Sequence, residues 1–337
     1  MFTPKKLEVS MKEAERSRTA RTARRSWARA GSIAAILVLV GLTIEAGRPG
    51  WVNKASMPTA LNLAGVAEIN GTIYVAGGQS STTEFLSTLY SYTPATNKWS
   101  TLASMPSGLY LPEAAGLNGQ FYVAGGWTGT LPVNTLYRYD PPSNTWTTLA
   151  SLPQLSACGA GGAIDGQFYV TSPEDGFNGY YNFLDAYNPA SNAWTALAQS
   201  SDAHACGAYG VIDGQLYVTS GADDSGRTST TEAYNPVTNV WTTLAPIPTP
   251  VQYPGSAVSC GRLYVIGGVD AAGNNVTAVQ VYDPIKNTWS KFTPLPTATA
   301  SLGAAHVHCS LFAFGGSTAA GFVATNESIG ACGLAGD

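Results

Sequence analysis

Charged side chains are scarce in this 337-residue chain, at 11%, less than half the usual share of about 25%. Histidine is scarcer still: His204, His306 and His308 are the whole complement. A disordered chain would need high net charge and few aromatics, and a coiled coil would need charged residues flanking an apolar seam, so both are excluded. The composition likewise excludes a multi-span helical membrane protein, and an uncharged, mostly apolar stretch of fifteen residues runs from Ala30 to Ile44. So few titratable groups leave little material for acid–base catalysis. No His, Cys and Asp cluster at metal-ligand spacing is found, and the pair His306 and His308 lacks further ligands. No Gly-x-Ser-x-Gly elbow occurs, and Gly159–Gly162 falls within a predicted strand without a following helix or lysine, so it is not a phosphate loop. No catalytic nucleophile, metal site or cofactor is expected.

What the chain does have is glycine (37), proline (20) and 10% aromatics, a profile of short strands joined by tight turns. Charge is also unevenly divided. Residues 1–50 carry ten of the 17 Lys and Arg but four of the 21 acids, whereas residues 51–337 carry a net charge of −10. The body is therefore an acidic globule without the basic footprint that nucleic-acid binding requires. Residues 1–29 are basic, and 30–46 form a hydrophobic segment. As a helix the fifteen apolar residues would span roughly 22 Å, short of a ~30 Å hydrocarbon core. That pattern reads as a secretory signal with a cleavage region at Glu45-Ala46-Gly47, or else as an uncleaved, tilted anchor. Either reading exports the remainder, as a secreted, periplasmic or membrane-anchored protein that meets the membrane only through its N-terminal segment.

Tryptophans stand at 51, 99, 146, 194, 241 and 289, at intervals of 47 or 48 residues. Their surroundings repeat too, as in WSTLASMP from Trp99, WTTLASLP from Trp146 and WTTLAPIP from Trp241. Upstream of each Trp from the second onward lies a short apolar strand (IYVAGG 73–78, FYVAGG 121–126, FYVTS 168–172, LYVTSG 216–221, LYVIGG 263–268), and LFAFGG (311–316) follows the last. Asn70-Gly71, Asn118-Gly119, Asp165-Gly166 and Asp213-Gly214 precede four of these strands. Such dipeptides suit a two-residue hairpin turn in which both residues need φ > 0. Each unit thus holds four strand signals. One four-stranded sheet cannot bury both faces, so the units must stack, and a radial arrangement hides the edges.

The Gly-Gly doublet, the Tyr-Asp-Pro or Tyr-Asn-Pro turn (139–141 has Tyr-Asp-Pro) and the spaced Trp resemble the kelch family over residues 51–330. A WD-type propeller is disfavoured by the long period and the absence of a Trp-Asp dipeptide. The expected fold is an all-β, six-bladed kelch-type β-propeller with four-stranded blades, followed by a tail at 331–337. Trp51 precedes the first Gly-Gly strand, so an N-terminal strand around Trp51–Met57 is expected to complete the blade begun by 301–330. The third strand of that last unit, where Gly330-Ala331-Cys332 replaces Tyr-Asp-Pro, is expected to be frayed. The Trp is read as packing between blades. Glycine- and alanine-rich innermost strands imply a narrow axis with little room for a large ligand.

The resemblance implies that the loops after the Gly-Gly strands and after the Trp strands emerge on one face. The candidates there are Trp127, Glu174, Asp175, Tyr180, Tyr181, Asp223, Asp224 and Arg227 from the first set, and Tyr110, Glu113, Asp202, His204 and Tyr253 from the second. Trp127 lies outside the Trp register, which suits stacking on a sugar or partner. Five cysteines in an exported chain leave one unpaired. Cys158 and Cys206 are equivalent positions in adjacent units, whereas Cys309 with Cys332 is the expected disulfide, tethering the final blade.

The expected function is a noncatalytic binding module that takes a protein or glycan on its loop-bearing face. The resemblance offers one alternative, a sugar-directed enzyme like the exported, six-bladed kelch epimerase (mutarotase) of sialic acid. Such chemistry needs an acid–base group and a cation for the carboxylate. Only Arg138, Arg227 and Arg262 follow position 50, and only Arg227 falls in a face loop.

Overall fold

The computed structural model describes residues 50–81, 84–174 and 179–332. The basic and hydrophobic N-terminal segments, Asp175 and the tail from 333 onward lie outside the described residues, as does the side chain of Glu174. Six four-stranded antiparallel sheets follow one another as blades. Blade 1 comprises Gly65–Ile69, Thr72–Ala76, Leu89–Thr93 and Lys98–Leu102. Blade 2 comprises Glu113–Leu117, Gln120–Ala124, Leu136–Asp140 and Thr145–Leu149. Blades 3, 4 and 5 open with Gly161–Ile164, Ala208–Ile212 and Gly255–Ser259. Blade 6 is built from Gly303–Val307, Ser310–Phe314, Asn326–Gly330 and the short strand Val52–Asn53, in which Val52 lies opposite Ser328.

The first turn of each blade shows why its residues were needed. Asn70 and Gly71 both have positive φ, at 51° and 80°, and an Asx-Gly pair adopts this at little cost. In blade 6 His308 takes the Asx position with φ 55°. The second strand then buries nearly every side chain, because it has a strand on either side and a blade over each face. It ends at the Gly-Gly doublet, where a Cβ on Gly77 would stand 2.3 Å from the carbonyl oxygen of Leu109. Only glycine allows the strand to touch the loop of the next unit there.

Blades are joined at the rim by a repeated clamp. In blade 1 the Trp99 indole Nε1–H donates to the Ala55 carbonyl (2.8 Å), while the Ala55 N–H donates to Asn97 Oδ1 (2.8 Å). The same asparagine oxygen accepts the Tyr92 hydroxyl. Identical sets join Trp146 and Asn144 to Ala103, Trp194 and Asn192 to Ala150, Trp241 and Asn239 to Ala198, and Trp289 and Asn287 to Ala245. All five asparagines have φ between 50° and 54°, the left-handed conformation that Asn tolerates best among non-glycine residues. Beneath the clamps, tyrosines pack between blades, as where Tyr74 of blade 1 meets Phe121 and Tyr139 of blade 2 at 5.9 and 6.1 Å. Burying such rings supplies much of the interblade cohesion.

The interface between blades 5 and 6 differs. Trp51 Nε1–H donates to the Thr293 carbonyl (3.1 Å), but the clamp asparagine's position is Pro49 and the tyrosine's is Ile329. A disulfide spans this interface instead: Cys260, in the first turn of blade 5, is bonded to Cys332 with Cα atoms 6.0 Å apart. This corrects the expected Cys309–Cys332 pairing. The end of the third strand of blade 6 lies against the neighbouring blade's turn, so the tether runs between blades rather than within one, and Cys309 is left as an exposed free thiol. The expected fraying is also corrected. Asn326–Gly330 pairs with strands on both sides, and the Ala331 N–H donates to the Cys309 carbonyl (2.9 Å). A second disulfide joins Cys158 to Cys206, Cα atoms 4.6 Å apart.

Two outcomes follow. Removing residues 51–58 from the chain opens the last blade and should lower the Tm by ~10 °C or more, a loss of several kcal/mol; an unchanged Tm would refute ring closure by this segment. Alkylation of the native protein followed by mass spectrometry should label Cys309 alone, with the other four cysteines labelled only after reduction.

Candidate functional site

The loops after the second strands and those after the Trp strands do meet on one face. Isolated bridges pair Tyr110 with Trp127, Ala205 with Ala222, Gln252 with Val269 and Ala300 with Ser317. At the centre of this face lies a feature that the candidate residues alone did not disclose. Leu63, Leu111, Cys158, Cys206, Tyr253 and Ser301 each donate a backbone N–H to the carbonyl of the equivalent residue one blade back, and Leu63 donates to Ser301. The result is a closed cycle of six hydrogen bonds of 2.7–3.0 Å. All six residues are left-handed, with φ from 53° to 63°. A non-glycine residue pays about 1 kcal/mol or more for this conformation, so the cycle holds it in place. The signal was present in the sequence: each of the six stands twelve positions after a register Trp.

The ring frames a cavity of about 350 Å³ that runs down the axis to Gly116 and Val211. Among the described residues, no Asp, Glu, Lys, Arg or His lines it. Its walls are mainly glycine, alanine and aliphatic side chains, with the Cys158–Cys206 disulfide in one side. Polar groups are supplied by Tyr209, Tyr253, Ser256 and Ser301. Burial pushes the Tyr209 phenol up to about 12, and the negative charge of Glu113 adds to the shift. The axis is narrow, as expected, but open enough for one small molecule.

Around the ring the candidates divide into two groups. Tyr110 stacks on Phe85 (centroids 4.7 Å apart, planes 19°) and lies 6.4 Å from Trp127. These half-buried aromatics bridge blades 1 and 2, and Phe85 is a member that sequence reasoning missed. Asp202, Asp223 and Asp224 gather with Tyr180 and Tyr181 around a second recess, also of about 350 Å³. Their carboxylates are already engaged: Asp202 Oδ2 accepts from Thr228, Asp223 Oδ1 from Ser225, and Asp224 Oδ1 from the Tyr180 N–H. Arg227 is half-buried and donates through Nε to the Val269 carbonyl (3.0 Å). Tyr253 is a member of the ring.

Two candidates are corrected. Glu113 is not on the surface: its residue is 0% exposed. Its position in the other units is held by Gly65, Ala160, Ala208, Gly255 and Gly303, so it is an inner-strand residue rather than a loop residue. Oε1 accepts from Ser156 Oγ (2.9 Å) and the Gly159 N–H (2.8 Å), while Oε2 has no partner. Burial drives its pKa up to about 8 against these hydrogen bonds, so at neutral pH it carries a proton. His204 is also buried. Nδ1 faces the Ser220 carbonyl (3.0 Å) and Nε2 faces Glu232 Oε2 (3.1 Å). The imidazole is thus held between the Ser220 carbonyl and the Glu232 carboxyl. Burial raises the Glu232 pKa, but hydrogen bonds from His204 and Ser201 outweigh it and hold the carboxyl below its ordinary value. Among the described residues, no group of three His, Cys, Asp or Glu could hold a metal ion.

With this geometry the comparisons agree on architecture. The KLHDC2/KLHL20/DRC7 Kelch-repeats domain matches residues 48–209, and the Kelch motif matches 203–248 and 250–296. The chain belongs to the kelch-repeat β-propeller family. A solved structure titled "Structure of YjhT" is similar, with a TM-score of 0.70 at 20% identity, covering 81% of this chain and 95% of that one. At that identity the likeness shows the fold alone. No curated protein matches.

The Glu113 carboxyl gives a pH signature. Its folded pKa is raised from 4.5 to about 8, so its contribution is intact below about pH 4.5 and stability falls as the pH rises through 8. Glu113→Gln should therefore melt close to wild type at pH 5 but be more stable by roughly 4 kcal/mol at pH 9. Parallel pH–Tm curves for the two proteins would overturn this assignment.

Proposed function

We propose that this chain is a noncatalytic, exported binding module that takes a protein or glycan ligand on its loop-bearing face, over the axial pocket. One observation carries the reading. Arg227, His204 and Glu113 are engaged by protein groups, and the pocket at the centre of the face has no charged wall among the described residues. What the axial pocket and the aromatic rim beside it offer a ligand is aromatic surface and neutral hydroxyls, which suit recognition rather than proton transfer. Export rests on the basic and then apolar character of residues 1–46.

A sugar-directed enzyme is the weaker reading. Glu113, which bears a proton, and His204 would be its natural acid and base. Both are buried, and their bonded atoms face protein groups.

The test is capture of ligand from a glycan array and from a cell-surface extract by the full chain. Trp127→Ala should weaken capture about tenfold, in line with the loss of one interfacial aromatic, while Ile285→Ser, at a turn residue 94% exposed, should leave it unchanged. Captured sugars should be recovered unaltered. Turnover of a sugar that Glu113→Gln abolishes would establish the enzyme instead.

A further inference from the structure

The axial pocket carries a more specific reading, which rests on the face being a binding surface. We infer that the pocket selects an uncharged sugar ring, the terminal residue of a neutral glycan. The first ground is electrostatic. Burying an unpaired charge is costly, and this wall offers no side chain to pair with a carboxylate or an ammonium. The buried carboxyl nearby, Glu113, does not lose its proton until about pH 8.

The second ground is the break in sixfold symmetry. Tyr209 occupies a position held in the other blades by Val66, Ala114, Gly161, Ser256 and Ala304. One aromatic among five smaller residues is not required by closure of the ring, since the other blades close without it. It places a phenol ring in a wall otherwise made largely of glycine and alanine. A flat apolar plate with a polar edge suits a pyranose, which presents C–H groups on one face and hydroxyls around its edge. Ser256 adds a matching group: its Oγ accepts the Tyr209 N–H (3.2 Å), which leaves its own proton to donate. Tyr253 and Ser301 place two more hydroxyl-bearing side chains at the mouth.

The third ground is continuity. Ring residue Leu111 follows Tyr110 directly in the chain, so the pocket mouth runs into the stacked pair Phe85–Tyr110 and on to Trp127. A sugar ring seated in the pocket would place the next residue of its chain on this aromatic rim.

The experiment uses the full chain with methyl glycosides of glucose, galactose, mannose and N-acetylglucosamine, set against glucuronic acid, sialic acid and glucosamine. Binding is followed by melting shift and calorimetry. At least one neutral glycoside should bind, and the charged sugars should not. Ser301→Tyr, which narrows the mouth with a residue that blade 5 already carries in the same backbone conformation, should weaken binding at least tenfold. Tyr209→Ala should do the same, with each unliganded variant melting within a few degrees of wild type. Tyr209→Phe keeps the ring if the alanine variant does not fold. Binding of glucuronic or sialic acid that Ser301→Tyr abolishes would overturn the neutral class while leaving the pocket. Neutral-sugar binding lost in Trp127→Ala but untouched by the pocket variants would overturn the pocket while leaving the face. No binding by any glycoside would overturn the inference outright, with the face then judged by capture from the cell-surface extract alone.

Discussion

Five of the six blade interfaces depend on the grip of one blade's asparagine and tryptophan on a single backbone alanine of its neighbour. A four-stranded sheet this short cannot shield both faces, so it is stable only when each face is covered. The clamp fixes how the next blade covers it, because the indole takes the alanine carbonyl and the carboxamide takes its N–H. These are directional bonds, so they set the angle between blades as well as their contact. The tyrosine hydroxyl on the same asparagine oxygen ties the clamp to the buried aromatic layer. Where the asparagine and tyrosine are missing, between blades 5 and 6, a covalent bond spans the interface. The seam of the ring is thus fastened by different chemistry from the other five interfaces.

The inner cycle complements the outer clamps. Six left-handed residues are individually unfavourable, and a linear array of units would relax at its ends. A closed cycle has no ends, so each strained residue is held by a bond on either side. This has a consequence for function. The rim of the axial pocket is among the most constrained backbone in the molecule, so side chains mounted on it are presented with little conformational freedom. A rigid frame reduces the ordering cost of binding, and the disulfide between two ring members tightens it further.

The economy of charge has a structural logic too. Some of the few ionisable groups near the face fasten one segment to another, as with His204 on Glu232 and Arg227 on the Val269 carbonyl. Glu113 replaces glycine or alanine at a buried position and is tolerated because it keeps its proton. What the axial pocket exposes to a ligand is neutral, and this supports recognition over catalysis.

Much of the architecture was legible in the residues themselves. The period of the tryptophans, the Asx-Gly turns and the alternation of buried strands express local backbone preferences and burial, which operate within a single unit. Blade number and strand order follow from repetition, and the resemblance to the kelch family implied the shared face of the two loop sets. The site was less legible, because burial of one residue depends on what a different blade places over it. Glu113 and His204 read as loop residues by position and proved to be interior ones. Cys332 read as the partner of Cys309 because both lie in one unit, but bonded across the blade interface instead. The hydrogen-bonded ring is the clearest case. Its members, Leu, Leu, Cys, Cys, Tyr and Ser, share no side-chain chemistry, so composition could not mark them as equivalent. Residue type by itself determined each unit and its turns; only the closure of six units about an axis decided which backbones meet there, and with them the shape and neutrality of the pocket.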